Sequence, residues 1–146
     1  MSPVYLDTSA LIKRYVEEAG SDEVARLLAE ARTVGTLSLT RVEAHSALKK
    51  AVRTRALNEP EAEEARAAFE ADWPYLEHIR LIPAIEELAS TLAWEDGLRG
   101  YDAVHLAAAL FWKELLGSPV LFATYDRDLH AAAFRRGLSV FPEILG

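Results

Sequence analysis

Asp7, Glu43, Asp102 and Asp126 lie far apart in the chain, yet each stands at a seam between an apolar run and a helical one. Asp7 directly follows the strand-like residues 3–6. Glu43 sits in the first turn of a helical stretch, 41–57, that follows the strand-like residues 34–39. Asp102 begins the strongly apolar helix expected over 101–116. Asp126 comes just after the apolar run 119–123. Carboxylates gathered at one place repel: two like charges roughly 4 Å apart cost about 4 kcal/mol at an effective dielectric of about 20. Such a cluster persists by holding protons or by binding a cation. The chain has no cysteine, so thiolate zinc sites and cysteine nucleophiles are excluded. With oxygen donors alone the expected ion is hard, Mg²⁺ or Mn²⁺.

The elements must bring these residues together. Strand candidates at 3–6, 34–39, 78–82, 119–123 and 138–141 alternate with helical stretches at 9–18, 21–31, 41–57, 60–72, 83–96, 101–116 and 127–136. Ser21 or Asp22 is the expected cap of the second helix. Pro60 falls in the first turn of a helix, and Pro74 ends or kinks it. Alternation of this kind predicts an α/β fold, with a central parallel sheet of about four or five strands flanked by helices in three layers. In such folds ligands bind beyond the carboxyl ends of the strands, where the strand order reverses. Asp7, Glu43 and Asp126 fall at that edge directly. The helix opening at Asp102 runs antiparallel to the strands, so its N-terminus lies there too.

The 146 residues predict one domain, 1–146, and 51% hydrophobic content is too high for a disordered chain. No apolar run approaches the roughly 20 residues needed to span a bilayer. The opening MSPVYLDTSALIK has no basic leader and reads as the first strand, so a cytoplasmic protein is expected. The net charge of −7 argues against a general nucleic-acid binder, so local basic clusters matter more than the total.

Four segments carry a specific resemblance: LDTSALIK (6–13), LTRVEAHSAL (39–48), GYDAVHLAAAL (100–110) and FATYDRDL (122–129). Their order and spacing resemble the signature segments of PIN-domain ribonucleases, and among these the VapC-type toxins. The likeness covers nearly the whole chain. It implies a PIN-like fold and a metal-dependent endoribonuclease that hydrolyses RNA phosphodiester bonds, with Mg²⁺ or Mn²⁺ as cofactor. By the same resemblance Asp7 and Asp102 would bind metal directly, Glu43 would act through water, and Asp126 would be the fourth acidic residue. Thr8, Ser9 and Thr124 look like the small hydroxyl residues that support the site. A homodimer, and a cognate antitoxin whose segment covers the acidic cleft, are implied as partners, with no membrane.

Several readings stay open on the sequence. Thr40-Arg41-Val42-Glu43 also fits a capping box, with Thr40 as N-cap and Glu43 reaching back. Asp128 competes with Asp126 for the fourth position. Lys13, Arg14, Lys49, Lys50 and Arg53 could contact RNA phosphates or simply form solvated helix faces. His105, three residues after Asp102, reads as a helix-packing residue and is left out of the site. A non-catalytic PIN-like module that binds protein or RNA is the alternative function. A haloacid-dehalogenase-like phosphatase wants an aspartate where Ser9 stands, so it fits poorly.

Overall fold

The computed structural model describes residues 2–145. Five short strands form one parallel sheet: β1 (Val4–Leu6), β2 (Val34–Leu37), β3 (Glu77–Ile79), β4 (Leu121–Ala123) and β5 (Ser139–Phe141), in the order β3-β2-β1-β4-β5. The chain fills one side of β1 first and then crosses to the other. The reversal in strand order therefore falls between β1 and β4, which pair in register from Val4 opposite Leu121 to Leu6 opposite Ala123. A crevice at the carboxyl ends of these two strands is where a ligand site is expected.

Seven α-helices are present among the described residues: α1 (Thr8–Leu11), α2 (Ser21–Glu30), α3 (Thr40–Arg53), α4 (Glu59–Asp72), α5 (Pro83–Asp96), α6 (Gly100–Leu116) and α7 (Arg127–Arg135). Alternation along the strands sends side chains to two separate cores. Val4, Leu6 and Ala123 pack with Leu11, Val24, Ala44 and Phe69, on the α1–α4 side. Tyr5, Leu37, Ile79 and Phe122 pack with α5, α6 and α7 on the other. These two cores make the three layers. Helix α6 buries Ala103, His105, Leu106, Ala107, Ala108, Ala109 and Trp112, which explains its nearly continuous apolar sequence.

Element ends differ from the sequence reading in ways that have physical causes. The helix expected over 9–18 is α1 followed by a 3₁₀ turn, Ile12–Arg14, because Tyr15 is drawn across to α4. Its hydroxyl donates to Asp72 at 2.7 Å and its ring meets Phe69 edge-on. Ser21 does not cap α2. Gly20 takes that place with φ +94°, and the Ser21 hydroxyl accepts from the Glu18 N–H and donates to the Val16 carbonyl. Helix α3 stops at Arg53 rather than 57, since Arg55 adopts a left-handed conformation at φ +64°. The third strand starts one residue early and ends at Ile79.

Gly35 on β2 lies against the Trp112 ring of α6: a Cβ there would stand 2.8 Å from Cη2 and 3.0 Å from Cζ2 and Cζ3. Trp112 is only 5% exposed and has little room to retreat. Gly35→Ala is therefore expected to destabilise the fold by about 1–3 kcal/mol through overpacking. Urea unfolding should show a lower midpoint with an unchanged slope. An unshifted midpoint would mean that the Trp112 ring yields freely.

Candidate active site

The carboxyl edge between β1 and β4 is built around Asp7. This residue leaves β1 in an extended conformation and caps α1, so its carboxylate turns back over the helix start. Oδ1 accepts from the Ser9 hydroxyl at 2.7 Å and the Ala10 N–H at 2.9 Å, while Oδ2 accepts from the Thr124 hydroxyl at 2.5 Å. Asp7 is 3% exposed. Burial pushes its carboxyl above the usual carboxylate range despite these donors. The two hydroxyls also tie the strand β4 exit to the site. Ser9 Oγ accepts from the Tyr125 N–H at 3.0 Å, and Thr124 Oγ1 accepts from the Asp126 N–H at 3.1 Å.

Glu43 is not a capping residue. Helix α3 is capped by Leu39 with no side-chain bond, and the Thr40 hydroxyl pairs instead with buried Thr36 at 2.8 Å. The Glu43 carboxylate faces α1 and α6. Its Oε1 accepts from the Thr8 hydroxyl at 2.7 Å and meets His105 Nε2 at 2.9 Å. Burial raises the Glu43 carboxyl, but the bonds from His105 and Thr8 outweigh it and hold the group below its ordinary range.

Asp102 lies in the first turn of α6 and Asp126 caps α7, its Oδ1 accepting from the Leu129 N–H at 2.9 Å. Arg99 spans the two acids: its guanidinium lies 3.1 Å from Asp102 Oδ2 and 2.8 Å from Asp126 Oδ2. Burial, and then the charge of Asp126, raise the Asp102 carboxyl, with Arg99 opposing them. Asp128 stands exposed in the first turn of α7, so Asp126 is the one that turns toward Asp102. Among the described residues no group of three or more His, Cys, Asp or Glu side chains closes to metal-holding distances. Arg99 is held by the outer pair, Asp102 and Asp126.

Two residues that the sequence reading left out of the site belong to this arrangement. His105 is buried and joins Tyr5 to Glu43, with Nδ1 2.7 Å from the Tyr5 hydroxyl. Its spacing of three from Asp102 was the available signal. Arg99 carried the same signal on the other side, three residues before Asp102.

The basic residues divide. Lys13 donates to Glu18 at 3.0 Å and lies 4.4 Å over the Tyr125 ring. Arg14 pairs with Asp72 at 3.1 Å, and Lys49 with Glu59 at 3.2 Å. Lys50 and Arg53 are exposed, with no ion pair among the described residues. Arg53 lies ten residues beyond Glu43, about 15 Å along the helix axis.

A family model described as PIN domain matches residues 4–135. The chain is 35% identical over 143 residues to Ribonuclease VapC45 of Mycobacterium tuberculosis, covering 97% of this chain and 96% of that one. It is also similar to the solved structure of VapC20 from Mycobacterium tuberculosis, described as a sarcin-ricin loop cleaving toxin. That match has a TM-score of 0.66 and 20% identity, over 98% of this chain and 99% of the other. A toxin-antitoxin complex from Klebsiella pneumoniae aligns with TM-score 0.63 and 17% identity, over 97% of this chain and 98% of the matched one.

Proposed function

The chain belongs to the PIN-domain family, and on that premise we propose that residues 1–146 act as one domain, a metal-dependent endoribonuclease serving as the toxin of a toxin–antitoxin pair. The observation that most supports this reading is Asp7: a buried carboxylate held by three donors at the sheet's switch point, with three further acids around the same edge. The donor set fits a hard divalent cation in kind, being oxygen only, and its outer pair already attracts a guanidinium. Asp7 and Asp102 would hold Mg²⁺ or Mn²⁺. When bound, the ion would make a water more acidic and offset charge developing on the phosphoryl oxygens.

The chain's own residues do the rest. Ser9 and Thr124 keep the Asp7 carboxylate in one orientation. Glu43, held below its ordinary range, is ionised at neutral pH and can orient the attacking water and take its proton. Asp126 adds negative charge beside Asp102, and Asp128 lies outside this group. Lys50 and Arg53 would steady the RNA backbone beyond the scissile bond.

RNA is the substrate in this reading, and its partner is an antitoxin, as in the Klebsiella complex. A basic antitoxin side chain over the acids would take the place Arg99 now occupies. Homodimerisation would cover some of the apolar surface that Trp94, Leu115 and Phe134 expose, at 89%, 72% and 68%. Among the described residues no helix is long and apolar enough to cross a membrane.

The test is cleavage of total cellular RNA by the purified chain with Mg²⁺ or Mn²⁺, set against the same reaction in EDTA, with the new ends mapped by sequencing. Discrete metal-dependent ends are expected. Intact RNA under both conditions would overturn the reading.

A further inference from the structure

We infer that His105 is a positioning residue for this reaction: by donating from Nε2 to Glu43 Oε1 it fixes that carboxylate, leaving Oε2 as the working oxygen. The inference rests on the proposed nuclease reading and adds to it the residue that sets the orientation of the water-handling carboxylate.

The protonation pattern follows from the donors. Tyr5 is fully buried, its hydroxyl included. Its own O–H must still donate, because a buried hydroxyl rarely goes unpaired. Nδ1 of His105, at 2.7 Å, is the acceptor the structure gives it. Nδ1 must therefore carry a lone pair, and the ring hydrogen sits on Nε2, aimed at Glu43 Oε1 at 2.9 Å. Thr8 donates to the same oxygen at 2.7 Å. Two donors thus converge on Oε1, and Oε2 has no hydrogen-bond partner among the described residues. The carboxylate can neither rotate nor exchange its oxygens without breaking both bonds.

Packing alone does not account for a histidine here. Its neighbours on α6, Ala103, Leu106, Ala107, Ala108 and Ala109, are all buried and apolar. A buried polar chain replaced on both sides by apolar groups of similar shape can be nearly neutral for stability. What the apolar version would lose is the anchored carboxylate. Tyr5, from the central strand, then acts through His105. It selects the tautomer, as a partner on the far ring nitrogen does for any histidine.

Two substitutions separate positioning from packing. In His105→Gln the amide nitrogen reaches the position of Nε2 and can still donate to Glu43. In His105→Asn the side chain reaches only the position of Nδ1, so the contact toward Tyr5 survives and the one to Glu43 is lost. With melting temperatures close to wild type, His105→Asn is expected to lower kcat by about 100-fold with little change in KM. His105→Gln should recover most of that loss. On the wild-type protein, nitrogen-15 spectra of the histidines should show Nε2 protonated and Nδ1 bare at residue 105, and Tyr5→Phe should mix the tautomers. Equal losses in the Asn and Gln variants, or a hydrogen on Nδ1 in the wild type, would overturn the inference while leaving the nuclease reading intact. A wild-type chain that cleaves no RNA would overturn both.

Discussion

Asp7→Asn is expected to abolish RNA cleavage while leaving the metal-free fold as stable as wild type or slightly more stable. Removing a carboxylate that would hold the ion forfeits several kcal/mol of charge stabilisation in the transition state. At about 1.4 kcal/mol per tenfold, that lowers kcat/KM by about 1,000-fold or more. The stability arm follows from burial. The Asp7 carboxyl is raised in the folded chain, so the folded state takes up this proton at higher pH than the unfolded chain does. Above the raised value, the buried charge is a destabilising term. As pH falls through that value toward the ordinary aspartate range, the term is relieved and stability rises. Asparagine keeps Oδ1 for Ser9 and Ala10 and presents an amide to Thr124, whose hydroxyl can accept instead.

At neutral pH the variant therefore keeps its contacts, with charge-assisted bonds weakened to neutral ones by about 1 kcal/mol, and is freed of a buried charge whose cost is of the same order or larger. Asp102 shifts in the same direction as Asp7 and Glu43 in the opposite one, so the difference between variant and wild type isolates Asp7. Thermal melts in EDTA, from neutral pH down through the carboxylate range, should show the variant gaining less stability on acidification than the wild type. Retained cleavage would remove Asp7 from the mechanism. A large drop in melting temperature at neutral pH would make it a structural cap of α1 instead.

The alternation of strands and helices was legible because β1 and β4 are short apolar runs closed by a turn. The placement of Asp7 and Asp126 followed from it, since Asp7 directly follows β1 and Asp126 comes three residues after β4 ends. Pairwise choices were not legible. The stretch Thr40 to Glu43 has the same letters whether it caps a helix or serves a site. The decision lies with Thr36, which takes the Thr40 hydroxyl and leaves Glu43 to face Thr8 and His105. Asp126 and Asp128 differ only in which one precedes α7, and the N-cap turns its side chain back over the helix start while the first-turn residue points outward. His105 sits on an apolar helix and looks like packing, because its meaning depends on Tyr5, a hundred residues away. Arg14 looks available until Asp72 on α4 is placed beside it. In each case local pattern fixed the element and a distant partner fixed the role.

Divalent metal should raise the stability of the wild-type chain and do so through Asp102. A ligand that binds only the folded state, present at about 100 times its Kd, adds about 2.7 kcal/mol. At about 2–4 °C per kcal/mol for a chain of this size, the melting temperature should rise by about 5–10 °C. Asp102→Asn should remove most of that rise, since it deletes a ligand and the charge that Asp126 reinforces. Arg99→Gln should act in the opposite direction. The guanidinium holds Asp102, which would bind the ion, and Asp126 beside it, and its side chain is 79% exposed, so it can leave without disturbing the core. Metal and arginine therefore compete for one patch of negative charge. Without Arg99, the metal-free chain keeps the unrelieved repulsion between Asp102 and Asp126, and Mn²⁺ relieves it on binding. Titration calorimetry should show tighter Mn²⁺ binding in Arg99→Gln than in wild type, with the difference shrinking as salt screens the pair. Weaker binding in that variant would mean that Arg99 supports the ion's position instead of occupying it. Undiminished metal stabilisation in Asp102→Asn would move the ion elsewhere along the sheet edge.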